Sequence, residues 1–132
     1  MTIHRATPAV GYYDPAAFAA MGVSQMVSAG GMLHLSGVVA AADGACVSPG
    51  DLAGQVPVIL DTIERLLATA GLDLSSLVTI TCFTTDIAAL AGQIPVFARR
   101  LGAHPPCSTW VEVKRLASPG YMLEIVAVAA LA

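Results

Sequence analysis

The sequence predicts an α+β domain with a single mixed β-sheet and two helices packed on one of its faces. Three observations lead there. Stretches of period-two alternation occur near both ends of the chain and in its middle, two stretches of helical spacing lie between them, and 132 residues allow one domain only. The apolar share is 56% and the charged share 11%, against roughly 45–50% and about 25% in an ordinary soluble domain. A small subunit has too much surface to cover with so few charges. A large part of it is therefore expected to lie in a homo-oligomer, where contact surfaces are depleted of charge.

Taken in order, residues 1–21 read as a lead-in, with a short edge strand around Thr2–Arg5 and then an irregular stretch through Pro8, Gly11, Asp14 and Pro15. Gly22–Ser28 reads as a strand, Ala29-Gly30-Gly31 as a hairpin turn, and Met32–Val38 as the returning strand. Alternation places Met32, His34 and Ser36 on one face of it and Leu33, Leu35 and Gly37 on the other. Asp43-Gly44 marks another turn. From Leu52 to Ala70 the apolar residues Leu52, Val56, Ile59, Leu60, Ile63, Leu66 and Leu67 recur at helical spacing, with Gly71 closing the helix. Pro57 fits only in a first turn, so the regular helix is expected to begin near Ala53–Val56. Val78–Thr85 alternates as a β-branched central strand, with Val78, Ile80, Cys82 and Thr84 opposite Thr79, Thr81, Phe83 and Thr85. Thr84, Thr85 and Asp86 read as a strand end and helix cap, and a second helix is expected from about Ile94 to Leu101, with Gly102 after it. The last third holds two strands, one ending at Val113 and one at Tyr121–Val128, separated by a Pro119-Gly120 turn.

The composition excludes several roles. Every apolar run is broken before the 18 or so residues a membrane span requires, and no basic cluster precedes Ala16–Val23 as an export signal would have it, so neither membrane insertion nor secretion is expected. Six Lys and Arg with a net charge of −3 make a poor phosphate-tracking surface, which argues against a nucleic-acid partner. Cys46, Cys82 and Cys107 share no CxxC spacing, so neither a disulfide framework nor a zinc site is indicated, and a reducing cytoplasm fits.

Counting by two along the last strand puts Met122, Glu124, Val126 and Val128 on one face and Tyr121, Leu123, Ile125 and Ala127 on the other. Glu124 thus has apolar neighbours on its own face. Such a carboxyl pairs with a partner, titrates at raised pH, or lines a cavity, and it is the leading candidate for chemistry. Either it is a general acid/base or a structural acid at a subunit boundary. Cys107 after two prolines is a nucleophile or a pocket-lining residue. His34 and Ser36 sit side by side on one strand without an orienting acid, so Ser36 reads as a hydrogen-bond donor to ligand, with Gly37 allowing close approach.

Several stretches carry a family resemblance. Ser24-Gln25-Met26-Val27 followed by Gly30–Gly37, then Thr81–Asp86, His104-Pro105-Pro106, Val111-Glu112-Val113 and Leu123-Glu124-Ile125, resemble in order the Rid family of reactive-intermediate imine and enamine deaminases (YjgF/YER057c/UK114) across about residues 22–130. The resemblance implies a chorismate-mutase-like fold, a homotrimer whose sheets form a central barrel, and ligand clefts between subunits. It also implies hydrolysis of small reactive imines or enamines without cofactor or metal, Glu124 positioning the water. Deaminating members carry a Pro-Ala-Arg-Ser segment whose arginine clamps the substrate carboxylate. Here Pro106-Cys107-Ser108-Thr109 fills that interval and Ser108 takes the arginine's place, so the chain resembles the arginine-lacking subgroup. Substrate contacts are then expected from Ser36, Gly37, Phe83, Cys107 and Ser108, with Glu124 catalytic. Two alternatives keep the same cleft: a cyclisation, tautomerisation or dehydration in a dedicated pathway, and a non-catalytic binding or holdase-like trimer.

Overall fold

The computed structural model describes residues 2–132. Strand β1 (His4–Ala6) pairs with β2 (Met26–Ala29), which turns directly into β3 (Met32–Val39). The turn residues Gly30 and Gly31 have φ of 59° and 79°, which only glycine adopts without steric penalty in a two-residue hairpin. Helix α1 (Pro15–Ala20) lies between β1 and β2, and a small hairpin of β4 (Ala41–Ala42) and β5 (Ala45–Cys46) follows β3. Next come helix α2 (Leu52–Ala68), a 3-10 turn at Leu74–Ser76, strand β6 (Leu77–Thr84), helices α3 (Ile87–Ala91) and α4 (Ile94–Leu101), and strands β7 (Cys107–Glu112) and β8 (Leu123–Ala130).

The main sheet runs β1-β2-β3-β8-β6-β7. All neighbours are antiparallel except β6 and β7, so the sheet is mixed, as expected. Strand β8 inserts between β3 and β6, which α2 connects. Its buried side, including Leu52, Val56, Ile59, Leu60, Ile63, Leu66 and Leu67, packs on β3 and β8. Every second residue of β8, Leu123, Ile125, Ala127 and Ala129, is fully buried there, and the two alanines let the helix approach closely. Each large side chain so buried stabilises the fold by roughly 1.5–3 kcal/mol. Met122, Glu124, Val126 and Val128 emerge on the opposite, open face, in the predicted alternation.

Five expectations are corrected. The lead-in contains α1, because the Asp14 side chain accepts from the Ala16 N–H at 3.0 Å and Pro15 supplies a helical φ; β2 in turn starts at Met26, not Gly22. The edge strand spans His4–Ala6 instead of Thr2–Arg5. Helix α2 begins at Leu52, capped by Asp51, so Pro57 lies beyond its first turn, tolerated because it sits on the exposed side. Register shifts in β3 between Leu35 and Val38, and in β6 between Leu77 and Thr79, change the alternation: Leu77 is buried and Val78 exposed, and Gly37 leaves the side of Leu33 and Leu35.

Candidate functional site

The β3 irregularity matters most. An ideal Cβ on Gly37 would lie 2.5 Å from Glu124 Oε2, so the carboxyl group occupies the space a side chain would need. Two bonds from Gln25 hold this backbone in place: its carbonyl accepts from Ser36 N–H at 2.8 Å and its Nε2 donates to the Ser36 carbonyl at 3.2 Å. Gln25 is 2% exposed, and its Oε1 has no partner. The Ser36 hydroxyl donates to the Ser24 carbonyl at 2.7 Å, so it offers a ligand acceptor lone pairs, where donation was expected.

Glu124 stands opposite Val39 on one side and Phe83 on the other, and Phe83 in turn faces Val111. Its carboxyl makes no hydrogen bond or ion pair among the described residues, and partial burial among apolar neighbours raises its pKa above the ordinary carboxylate value. Tyr12 accepts the Val39 N–H at 2.9 Å, and burial pushes its own phenol well above the usual range, so it stays protonated. Tyr13 and Tyr121 share a hydrogen bond between their hydroxyls nearby. The start of β8 is fixed by Gln55, wholly buried, whose Oε1 accepts the Met122 N–H at 2.9 Å while Nε2 donates to the Ser48 and Gly120 carbonyls at 2.9 and 2.8 Å. The Thr84 hydroxyl holds the Met122 carbonyl at 2.8 Å.

Gly37, Phe83 and Glu124 thus form one cluster on the open face, with Ser36 next to Gly37 in the chain and its hydroxyl turned to Ser24. Cys107 shares that face but pairs with Thr79, four residues along β6 from Phe83 and roughly 13 Å away at strand rise. Ser108 pairs with Ile80, which is buried on the helix side, so it lies on the opposite face of the sheet from Glu124. Within one chain the two do not meet. Instead Ser108 opens into a cleft of about 490 Å³ between α4 and β7, walled by Ile94, Phe97, Leu101, Pro106 and Trp110 over Ile80. The Trp110 Nε1–H donates to Ser108 Oγ at 3.0 Å, and the Trp110 ring meets Phe97 with centroids 5.5 Å apart. Glu112 accepts the Ile87 N–H at 3.0 Å and so caps α3 together with Asp86. Burial pushes the Cys82 thiol up to about 12, leaving it unreactive. Alternation counting missed Gln25, Gln55, Tyr12 and the Trp110 cleft; the available signal was two glutamines embedded in otherwise apolar segments.

Solved structures share this architecture. A Mycobacterium tuberculosis protein described as a member of the highly conserved YjgF/YER057c/UK114 family is 26% identical, with a TM-score of 0.81 over 98% of this chain and 100% of that one. Yersinia pestis YyfA, described as a Rid-family protein of unknown function, is 25% identical, with a TM-score of 0.80 over 98% of this chain and 100% of that one. Yeast Mmf1, at 19% identity, matches in fold with a TM-score of 0.86 over 99% of this chain and 100% of that one. The sheet order, its covered face and these likenesses define a YjgF-like α+β domain.

The family model described as Endoribonuclease L-PSP matches residues 15–131, and protein DfrA of Myxococcus xanthus is 34% identical over 105 residues, 78% of this chain and 79% of DfrA. The chain belongs to this L-PSP family, which includes the YjgF and Rid proteins. Membership supports a small-molecule enzyme-like or binding role. No helix among the described residues is long and apolar enough to cross a membrane.

Proposed function

We propose that this protein is a homotrimeric, cytoplasmic hydrolase of small reactive imines or enamines, working in clefts between subunits with Glu124 handling water. The observation that carries the reading is the partnerless Glu124 carboxyl packed against Gly37, half-buried and hence easier to protonate than an ordinary carboxylate. Two chains are required because Glu124 and Ser108 use opposite faces of one sheet: Ser36, Gly37, Phe83 and Glu124 come from one subunit, Ser108 and the α4–β7 cleft from its neighbour, and Cys107 lies at the boundary.

The ionised carboxyl takes a proton from water as its oxygen bonds to the C=N carbon, and the nitrogen gains that proton, giving a carbinolamine. Loss of ammonia from this adduct leaves a carbonyl product. A pKa raised toward the working pH lets one group serve as base and then as acid. The step calls on no metal or cofactor. Of the six Lys and Arg residues, Arg65 bonds to the Val10 carbonyl and Arg100 pairs with Asp61, which leaves few for an RNA backbone, so the family's endoribonuclease label is not extended to this chain.

Ammonia release on matched imines, with and without a carboxylate, tests this. Glu124→Gln is expected to lower turnover about 10²–10⁴-fold with the fold intact. Equal turnover by the wild type and the variant overturns the role given to Glu124.

A further inference from the structure

Taking the α4–β7 cleft as the recognition half of the site proposed above, we propose that this cleft selects an uncharged substrate carrying an aryl or comparably bulky apolar group, and turns away carboxylates.

Three observations converge. First, the cleft is large enough for a ring with its substituent, at about 490 Å³, and no ionisable side chain lines it. Second, the nearest cations are turned elsewhere. Arg100 lies 2.9 Å from Asp61 of α2, and Arg99, at about 100° per residue, falls on the side of α4 away from Ile94, Ala98 and Leu101. A carboxylate entering here loses water and gains no counter-charge from the residues that line the cleft. Third, Phe97 and Trp110 stand at 50° to each other, two aromatic walls against which a flat ring can lie. The single polar group at their edge is Ser108. Its Oγ already accepts from Trp110, so its own proton is free to be donated to a carbonyl oxygen or imine nitrogen. The cleft thus offers one donor and a wide apolar surface, which suits an aryl ketimine and its ketone product.

The test measures binding and needs no turnover. Acetophenone and phenylglyoxylate share a ring and a ketone and differ in a methyl against a carboxylate. Each is titrated into the purified protein by calorimetry, with emission from Trp110, the chain's sole tryptophan, reporting occupancy. Acetophenone is expected to saturate and perturb Trp110, with phenylglyoxylate bound at least roughly tenfold more weakly. Ala98 and Ile94 are exposed residues of the cleft wall, so substitution there spares the core. Ala98→Phe should abolish acetophenone binding, and Ile94→Arg should tighten phenylglyoxylate roughly tenfold. Unchanged melting of both variants shows that they are folded. Phenylglyoxylate bound as tightly as acetophenone, acetophenone that does not saturate, or binding untouched by Ala98→Phe overturns the proposal. If Glu124→Gln leaves ammonia release intact while these affinities hold, the hydrolase reading fails and the cleft's selectivity stands.

Discussion

Glu124 and Gly37 hold the smallest feature on which the site depends. The carboxyl fills the volume that any β-carbon at position 37 would claim, so the two residues are coupled sterically across neighbouring strands. Burial raises the Glu124 pKa, and the consequence for stability has a definite sign. The folded chain holds this proton more tightly than the unfolded chain, so stability is fully present below the unfolded value and falls as pH rises from there through the folded value. Glu124→Gln removes the charge that folding disfavours. Its melting temperature is expected to match the wild type at acid pH and to exceed it above neutrality, a comparison that thermal melts across pH check directly. An unchanged difference over the whole range would mean that the carboxyl is not disfavoured in the fold. Gln25 shows why residue-level reading stops short: its type is plain in the sequence, yet only the fold brings Ser36 within reach of both its backbone and its side chain.

The elements were largely legible. Alternation located the β8 faces correctly because burial against α2 enforces period two without interruption. It failed only at Gly37 in β3 and at Val78 in β6, each beside a register shift that neither residue announces by type alone, whereas the expected faces hold from Thr79 to Thr84. Helix α1 was missed because six residues give too little periodicity, although Asp14 and Pro15 mark its start. Between elements, Gln55 ties α2 to the loop before it, to the loop that leads into β8 and to Met122 just ahead of that strand. Gln55→Ala leaves the Met122 N–H without its partner, while the Ser48 and Gly120 carbonyls each keep a backbone N–H, from Asp51 and Gly50, and is expected to destabilise the fold by about 1–3 kcal/mol in urea unfolding. A loss under about 0.5 kcal/mol would show that water replaces the side chain at no penalty.

At the scale of the molecule, helices cover one face of the sheet and nothing among the described residues covers the centre of the other, where Thr81, Val126 and Val128 lie partly exposed beside Glu124. With 11% charged residues the chain lacks the means to solvate such a face alone. If the proposed trimer forms through this face, Val126→Asp, which places a charge at its middle, is expected to yield monomers in light scattering and, with each proposed cleft drawing on two chains, to abolish the proposed ammonia release. A trimer that survives this change would put the contact surface elsewhere.

The sequence by itself determined the class of fold, the helices α2 and α4, the outward face of Glu124 and the shortage of charge that asks for self-association. Periodicity and composition are properties of the chain, and burial against one partner element is enough to impose them. Only the tertiary structure decided that Gly37 meets Glu124, that Cys107 lies far along the strand from that acid, and that Ser108 opens onto the other side of the sheet beside Trp110 and Phe97. Those relations depend on strand register and on side chains from residues far apart in the chain, and a one-residue shift, which leaves no mark in composition or spacing, reverses which face each one uses.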